Sequence, residues 1–115
     1  MATIEECRSA LDRLSHNLAG ADGKVARAAA VDRSVSCAIT DLGVTFTGRL
    51  SEGGIRDVVP VRGAPAGRAD IRLTMSGDDL VALVDGRLNF ATSWATGRVK
   101  LEAGLRDLLR LRTLL

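Results

Sequence analysis

The sequence predicts an α+β domain: a five-stranded, mostly antiparallel sheet with helices packed on one face. Three observations lead there. Apolar residues recur at helical spacing near both ends of the chain and at period two between them. Each predicted strand is apolar on alternate residues only, so the sheet has one face to cover and one to leave wet. At 115 residues the chain holds one core, so residues 1–115 read as a single domain.

The elements follow in order. Thr3-Ile4-Glu5-Glu6 is a capping box, a hydroxyl at the cap and a carboxylate three residues on. Ile4, Cys7, Leu11, Leu14 and Leu18 then form one apolar stripe, with Arg8, Asp12 and Arg13 on the wet side. Gly20 and Gly23 end the helix, and the period changes at Lys24. His16 stands near the helix C-terminus, where an imidazolium caps favourably; no nucleophile or acid beside it suggests catalysis.

Val35, Cys37 and Ile39 alternate with Ser34, Ser36 and Ala38; Asp41-Leu42-Gly43 turns the chain. Val44, Phe46 and Leu50 alternate with Thr45, Thr47 and Arg49, completing a hairpin. After Ser51-Glu52-Gly53-Gly54, Ile55, Asp57, Val59 and Val61 read as a weaker third strand. Pro60 lacks an N–H, so this strand is at an edge or bulged there. A loop with Gly63, Pro65 and Gly67 leads to a fourth strand, Ile71, Leu73 and Met75.

Ser76 caps the next helix, with Asp79 three residues later and Leu80, Val81, Leu83 and Val84 on its buried side. The carboxylates of Asp78 and Asp79 suit a helix start. Asn89 caps a short helix carrying Phe90 and Trp94, four apart and on one face; Gly86 and Gly97 bracket it. Val99, Leu101 and Ala103 alternate with Arg98, Lys100 and Glu102 as a fifth strand. In the last helix Leu105, Leu108, Leu109, Leu111 and Leu115 span an arc of about 160°, opposite Arg106 and Arg110. Arg112 falls inside that arc and is expected to snorkel out.

Hydrophobic residues make up 46% of the chain but aromatics only 3%, so the interior is aliphatic and poor in hydrogen-bonding groups. No apolar run approaches the ~18 residues of a membrane span, and the first residues do not read as a signal peptide. A soluble cytoplasmic protein is expected. Arginine outnumbers lysine fourteen to two, and with much Ala and Gly this points to a GC-rich bacterial genome. Residues 1–60 hold seven basic and eight acidic groups, and residues 61–115 nine and six. That uneven charge suits weak attraction to an anionic membrane surface. No nucleic-acid partner is expected, since stacking aromatics are scarce.

Cys7 and Cys37 read as small buried hydrophobes. No Cys-x-x-Cys, Gly-x-Ser-x-Gly, P-loop or His-Glu-x-x-His motif occurs. The expectation is no enzyme, no cofactor and no metal. By residue type alone, Leu80, Leu83, Phe90, Trp94, Leu105 and Leu108 suit either a closed core or the apolar wall of a ligand site.

Gly86-Arg87-Leu88-Asn89, then Trp94, then Gly97-Arg98-Val99-Lys100-Leu101 resembles the sterol carrier protein-2 family of lipid-binding domains. The segment Ala69–Ser76 with Asp78-Asp79-Leu80 matches that family's strand-then-helix passage. The resemblance covers about Ala69 to Leu115. Two details depart: Phe90 stands where the family often has proline, and the glycine after the last strand is displaced. The resemblance implies an apolar tunnel between sheet and helices, and non-enzymatic binding, with transfer, of a fatty acid, fatty acyl-CoA, phospholipid or sterol-like lipid. Its lining would be Leu80, Leu83, Val84, Phe90, Trp94, Leu105, Leu108 and Leu109, with Trp94 facing the cavity. The last helix would then be a lid. The protein would work as a monomer or weak dimer. The alternative is a protein-interaction or accessory module whose cavity is filled by side chains.

Overall fold

A computed structural model describes residues 2–20, 32–51, 54–63 and 67–112. The readings of Gly23, Lys24, Glu52, Gly53, Pro65 and Leu115 lie outside these residues, as do the side chains of Leu18, Arg110, Leu111 and Arg112. Helix α1, Ile4–Ala19, opens on the expected capping box. Thr3 Oγ1 accepts from Glu6 N at 3.1 Å, and Glu6 Oε1 accepts from Thr3 N at 3.2 Å. Its stripe is buried at Cys7 and Leu11, and Ile4 and Leu14 pack beside them. Ala10 is fully buried as well, because a methyl lets the helix sit close to the sheet.

Five strands follow: β1 (Arg33–Ile39), β2 (Val44–Ser51), β3 (Gly54–Arg62), β4 (Ile71–Met75) and β5 (Lys100–Ala103). Their order in the sheet is β3-β2-β1-β4-β5. Three of the pairings are antiparallel; the central one, β1 with β4, is parallel. The hairpins from β1 through β3 occupy one side of β1. The chain must cross over to reach its free edge, and β4 arrives in the same direction as β1. The sheet is therefore mixed. Period-two alternation carries no information about strand direction.

The pairings align Val35, Cys37, Ile39, Val44, Phe46, Leu50, Ile71, Leu73, Met75, Leu101 and Ala103 on one face. The other face is polar without being uniformly wet. Ser36 and Thr45 are buried there, and Thr45 Oγ1 donates to Gly63 O at 2.9 Å.

Strand β3 lies at the edge, as Pro60 requires. The irregularity is upstream of the proline. Arg49 faces Arg56 and Thr47 faces Val59, so Gly48 alone faces two residues, Asp57 and Val58. Asp57 has a positive φ of 56°. This bulge reverses the facing of the strand. Ile55 stays inward, Val58 packs on the core, and Val59 is 52% exposed, so the single apolar row expected from Ile55 to Val61 is broken.

Helix α2, Gly77–Val84, is capped by Ser76, whose hydroxyl accepts from Asp79 N at 3.1 Å. Helix α3, Phe90–Ala95, is capped by Asn89, which accepts from Thr92 N at 3.0 Å. Gly86 and Gly97 adopt φ of 79° and 80°, the left-handed stops their positions call for. Val99 precedes β5 and is fully buried; its N–H donates to Ser93 O at 3.1 Å, tying α3 to the sheet. Helix α4, Leu105–Arg112, ends the described chain.

One ion pair joins α1 to the end of α2, and a second flanks it. Arg13 Nη1 lies 2.6 Å from Asp85 Oδ1, and Arg87 lies 3.2 Å from Asp85 Oδ2. The hydrogen bond from Arg13 holds the Asp85 carboxyl below its ordinary range.

Gly77 sets the approach of α1 to α2. A Cβ there would stand 3.1 Å from Cys7 Sγ and 3.3 Å from Ala2 Cβ. Gly77→Ala is expected to destabilise the domain by about 1–3 kcal/mol, because α1 and α2 must move apart to admit the methyl. Urea unfolding followed by circular dichroism checks it; an unchanged midpoint would show that α1 yields freely.

Candidate functional site

The inner face of the sheet carries two apolar clusters. The larger joins Cys7, Leu11, Cys37, Ile39, Val44, Phe46, Met75, Leu80 and Val99, and its most buried members are sealed from solvent. The smaller has only Leu50 and Ile71 fully buried, with Val35, Ile55, Leu101 and Ala103 half-buried around them. Leu73, packed on the larger cluster, pairs directly with Leu101 of the smaller. The two clusters therefore adjoin, and a band of half-covered aliphatic side chains runs between them.

The expected lining residues divide along this band. Leu80 is 3% exposed and belongs to the sealed core. Leu83, Val84 and Phe90 are half-buried and pack against that core's margin. Trp94 is half-buried; its ring is tilted 51° to Phe90 with centroids 5.9 Å apart, a favourable aromatic pair. Leu108 is half-buried, but Leu105 is 74% exposed and Leu109 55% exposed.

An ion pair accompanies that last division. Arg33 lies on the inner face at the start of β1, opposite Leu50. Its Nε donates to both carboxylate oxygens of Asp107, at 3.2 and 3.3 Å. Asp107 is 8% exposed, the most buried described side chain of α4. A guanidinium facing an apolar cluster needs a counter-charge. Asp107 supplies one, and with that side of α4 against the sheet Leu105 and Leu109 lie on the outward side. Reading the leucine arc alone puts these two on the covered side. No local signal pairs residues 74 apart.

Reactive chemistry is scarce on this face. Burial pushes the Cys37 thiol up to about 12, and burial followed by the charge of Asp41 raises that of Cys7, so both stay protonated and inert. Asp79 is taken up by Arg98 at 2.9 Å, and His16 Nδ1 lies 2.9 Å from Asp12 O on the exposed side of α1. Among the described residues, no group of three or more His, Cys, Asp and Glu is placed to hold a metal, and no helix is long and apolar enough to cross a membrane.

The domain is thus a mixed five-stranded sheet with helices against its inner face and an aliphatic margin beside the sealed core. The chain belongs to the SCP-2 sterol transfer family, whose sequence profile matches residues 11–115. The fold agrees. Palmitated SCP2L2 from Aedes aegypti superposes with a TM-score of 0.64 at 16% identity, over 98% of this chain and 94% of that one. The ubiquinone synthesis protein UbiJ-SCP2 gives 0.62 at 17%, over 94% and 90%. A sec-alkylsulfatase from Pseudomonas sp. gives 0.53 at 22%, over 70% of this chain; this chain spans only 12% of that enzyme's length. At these identities the likeness is one of fold. No curated protein sequence matches the chain.

Proposed function

We propose that this domain binds one lipid, its acyl chain lying along the band formed by Val35, Ile55, Leu73 and Leu101 and bordered by Leu83, Val84, Phe90, Trp94 and Leu108. The carrying observation is that Val35, Ile55, Leu73 and Leu101 remain half-buried on the inner face, while Leu105 and Leu109 of α4 are turned to solvent and do not cover them. Family membership supports lipid binding or transfer. The all-aliphatic band favours an acyl chain, as in a fatty acid, fatty acyl-CoA or phospholipid, over a ligand that needs polar recognition. The relative from Aedes aegypti is described as palmitated. Burial of each CH₂ contributes ~0.8 kcal/mol, so a sixteen-carbon tail gains roughly 10 kcal/mol before ordering costs reduce it. No bond is made or broken in this reading. The protein works in the cytoplasm as a monomer or weak dimer.

Trp94 is the chain's single tryptophan and serves as the probe. Hexadecanoate added to delipidated, folded protein is expected to change its emission saturably, while butanoate leaves it unchanged. A titration flat to high micromolar hexadecanoate overturns the proposal. Mass spectrometry of an organic extract of the purified protein then identifies the native lipid and its head group.

A further inference from the structure

We propose that the exposed side of α4 docks the domain on an anionic membrane surface. Leu105 and Leu109, one turn apart, present their side chains to water at 74% and 55% exposure. Val59, the third large hydrophobic that is exposed among the described residues, is on the edge strand β3. Two leucines on one side of a helix are a small patch for a protein partner but suit shallow insertion at the headgroup boundary.

Charge selects the occupant. Leu105–Arg112 contains three arginines and one aspartate. Arg106 is exposed beside the two leucines. The one acid, Asp107, is turned inward and neutralised by Arg33, so it does not repel an anionic surface. The same ion pair that turns the leucines outward thus removes the negative charge from the outward side. What remains is an apolar pair with a basic flank, complementary to acidic headgroups. Ala103, in the smaller apolar cluster, stands two residues before Leu105. Docking here brings the aliphatic band close to the bilayer surface, so a lipid tail crosses little water.

The test is co-sedimentation of the full chain with vesicles of phosphatidylcholine alone and of phosphatidylcholine mixed with phosphatidylglycerol. Binding is expected to the mixed vesicles and to fall with added salt. Leu105→Ser combined with Leu109→Ser should weaken it by at least about tenfold, two buried side chains being lost. Arg106→Gln should weaken it roughly fivefold. Val59→Ser should leave it unchanged. All four positions are exposed, so circular dichroism and the Trp94 response to hexadecanoate should match the parent in every variant. A failed Trp94 response in the parent would count against lipid binding; it leaves the vesicle result to be read separately. Absence of parent binding to the mixed vesicles overturns the docking proposal. So does undiminished binding by the double leucine variant. A parent dimer that the double leucine variant disperses, with vesicle binding unchanged, assigns the patch to self-association instead.

Discussion

Leu80→Ala is expected to lower the unfolding free energy by about 2–5 kcal/mol, at the upper end of that range. Leu80 is 3% exposed, and its cluster includes Ile39, Cys7 and Val99, which are at most 1% exposed. Such surroundings have little freedom to close over a lost isobutyl group, so the cavity term adds to the transfer term. Leu83→Ala, at the half-buried margin, should cost about half as much, since less apolar surface returns to water. The pair locates the boundary between sealed core and ligand band. Leu80→Ala should weaken hexadecanoate binding only through lost stability, whereas Leu83→Ala should alter affinity beyond its stability change. Urea unfolding by circular dichroism and Trp94 titration of both variants supply the two axes. A Leu80→Ala cost under about 1 kcal/mol would mean that the space beneath α2 is already open, and the core and the ligand site would need redrawing.

The second large effect concerns α4. Leu108→Ala and Asp107→Ala should speed release of bound lipid by more than Leu11→Ala does at equal loss of stability. Leu108 is the half-buried leucine among the described side chains of α4, and Asp107 is the helix's ion-pair contact with β1. Removing the carboxylate strands the Arg33 guanidinium. That side chain is 38% exposed and stays hydrated, so the cost is about 1–2 kcal/mol, below the 3–5 of a fully buried broken pair. If α4 opens for exchange, each 1.4 kcal/mol lost from its docking multiplies the off-rate about tenfold. Leu11 lies in α1 at 6% exposure, and its truncation loosens the whole domain instead. Leu109→Ala should stay within about 0.5 kcal/mol of the parent, because that side chain is already in water. If off-rate against stability falls on one line for Leu108→Ala, Asp107→Ala and Leu11→Ala, α4 is packing alone and no lid exists.

Much of the fold was legible from short stretches. The capping box at Thr3, the caps at Ser76 and Asn89 and the left-handed stops at Gly86 and Gly97 occur where their residues predict. Each is closed by partners three or four residues away, so the sequence holds both halves of the interaction. The inner face of four strands was equally legible, because alternation and burial express one geometry. The ligand margin was less so. Leu80 and Leu83 share one helix face, yet Leu80 is buried and Leu83 remains partly open, a difference their spacing does not show.

Local sequence was enough to place the four helices and five strands of the described residues and to mark the apolar face of β1, β2, β4 and β5. Long-range packing settled that β4 runs parallel to β1, that the bulge at Asp57 and Val58 turns Val59 outward, and that Gly77 admits α1. It also decided that Asp107 rather than Leu109 faces the sheet. These outcomes depend on partners far along the chain, 74 residues away for Arg33 and Asp107. The Arg33–Asp107 pair sets which side of α4 meets the sheet, and neither partner is visible in the local pattern of the other.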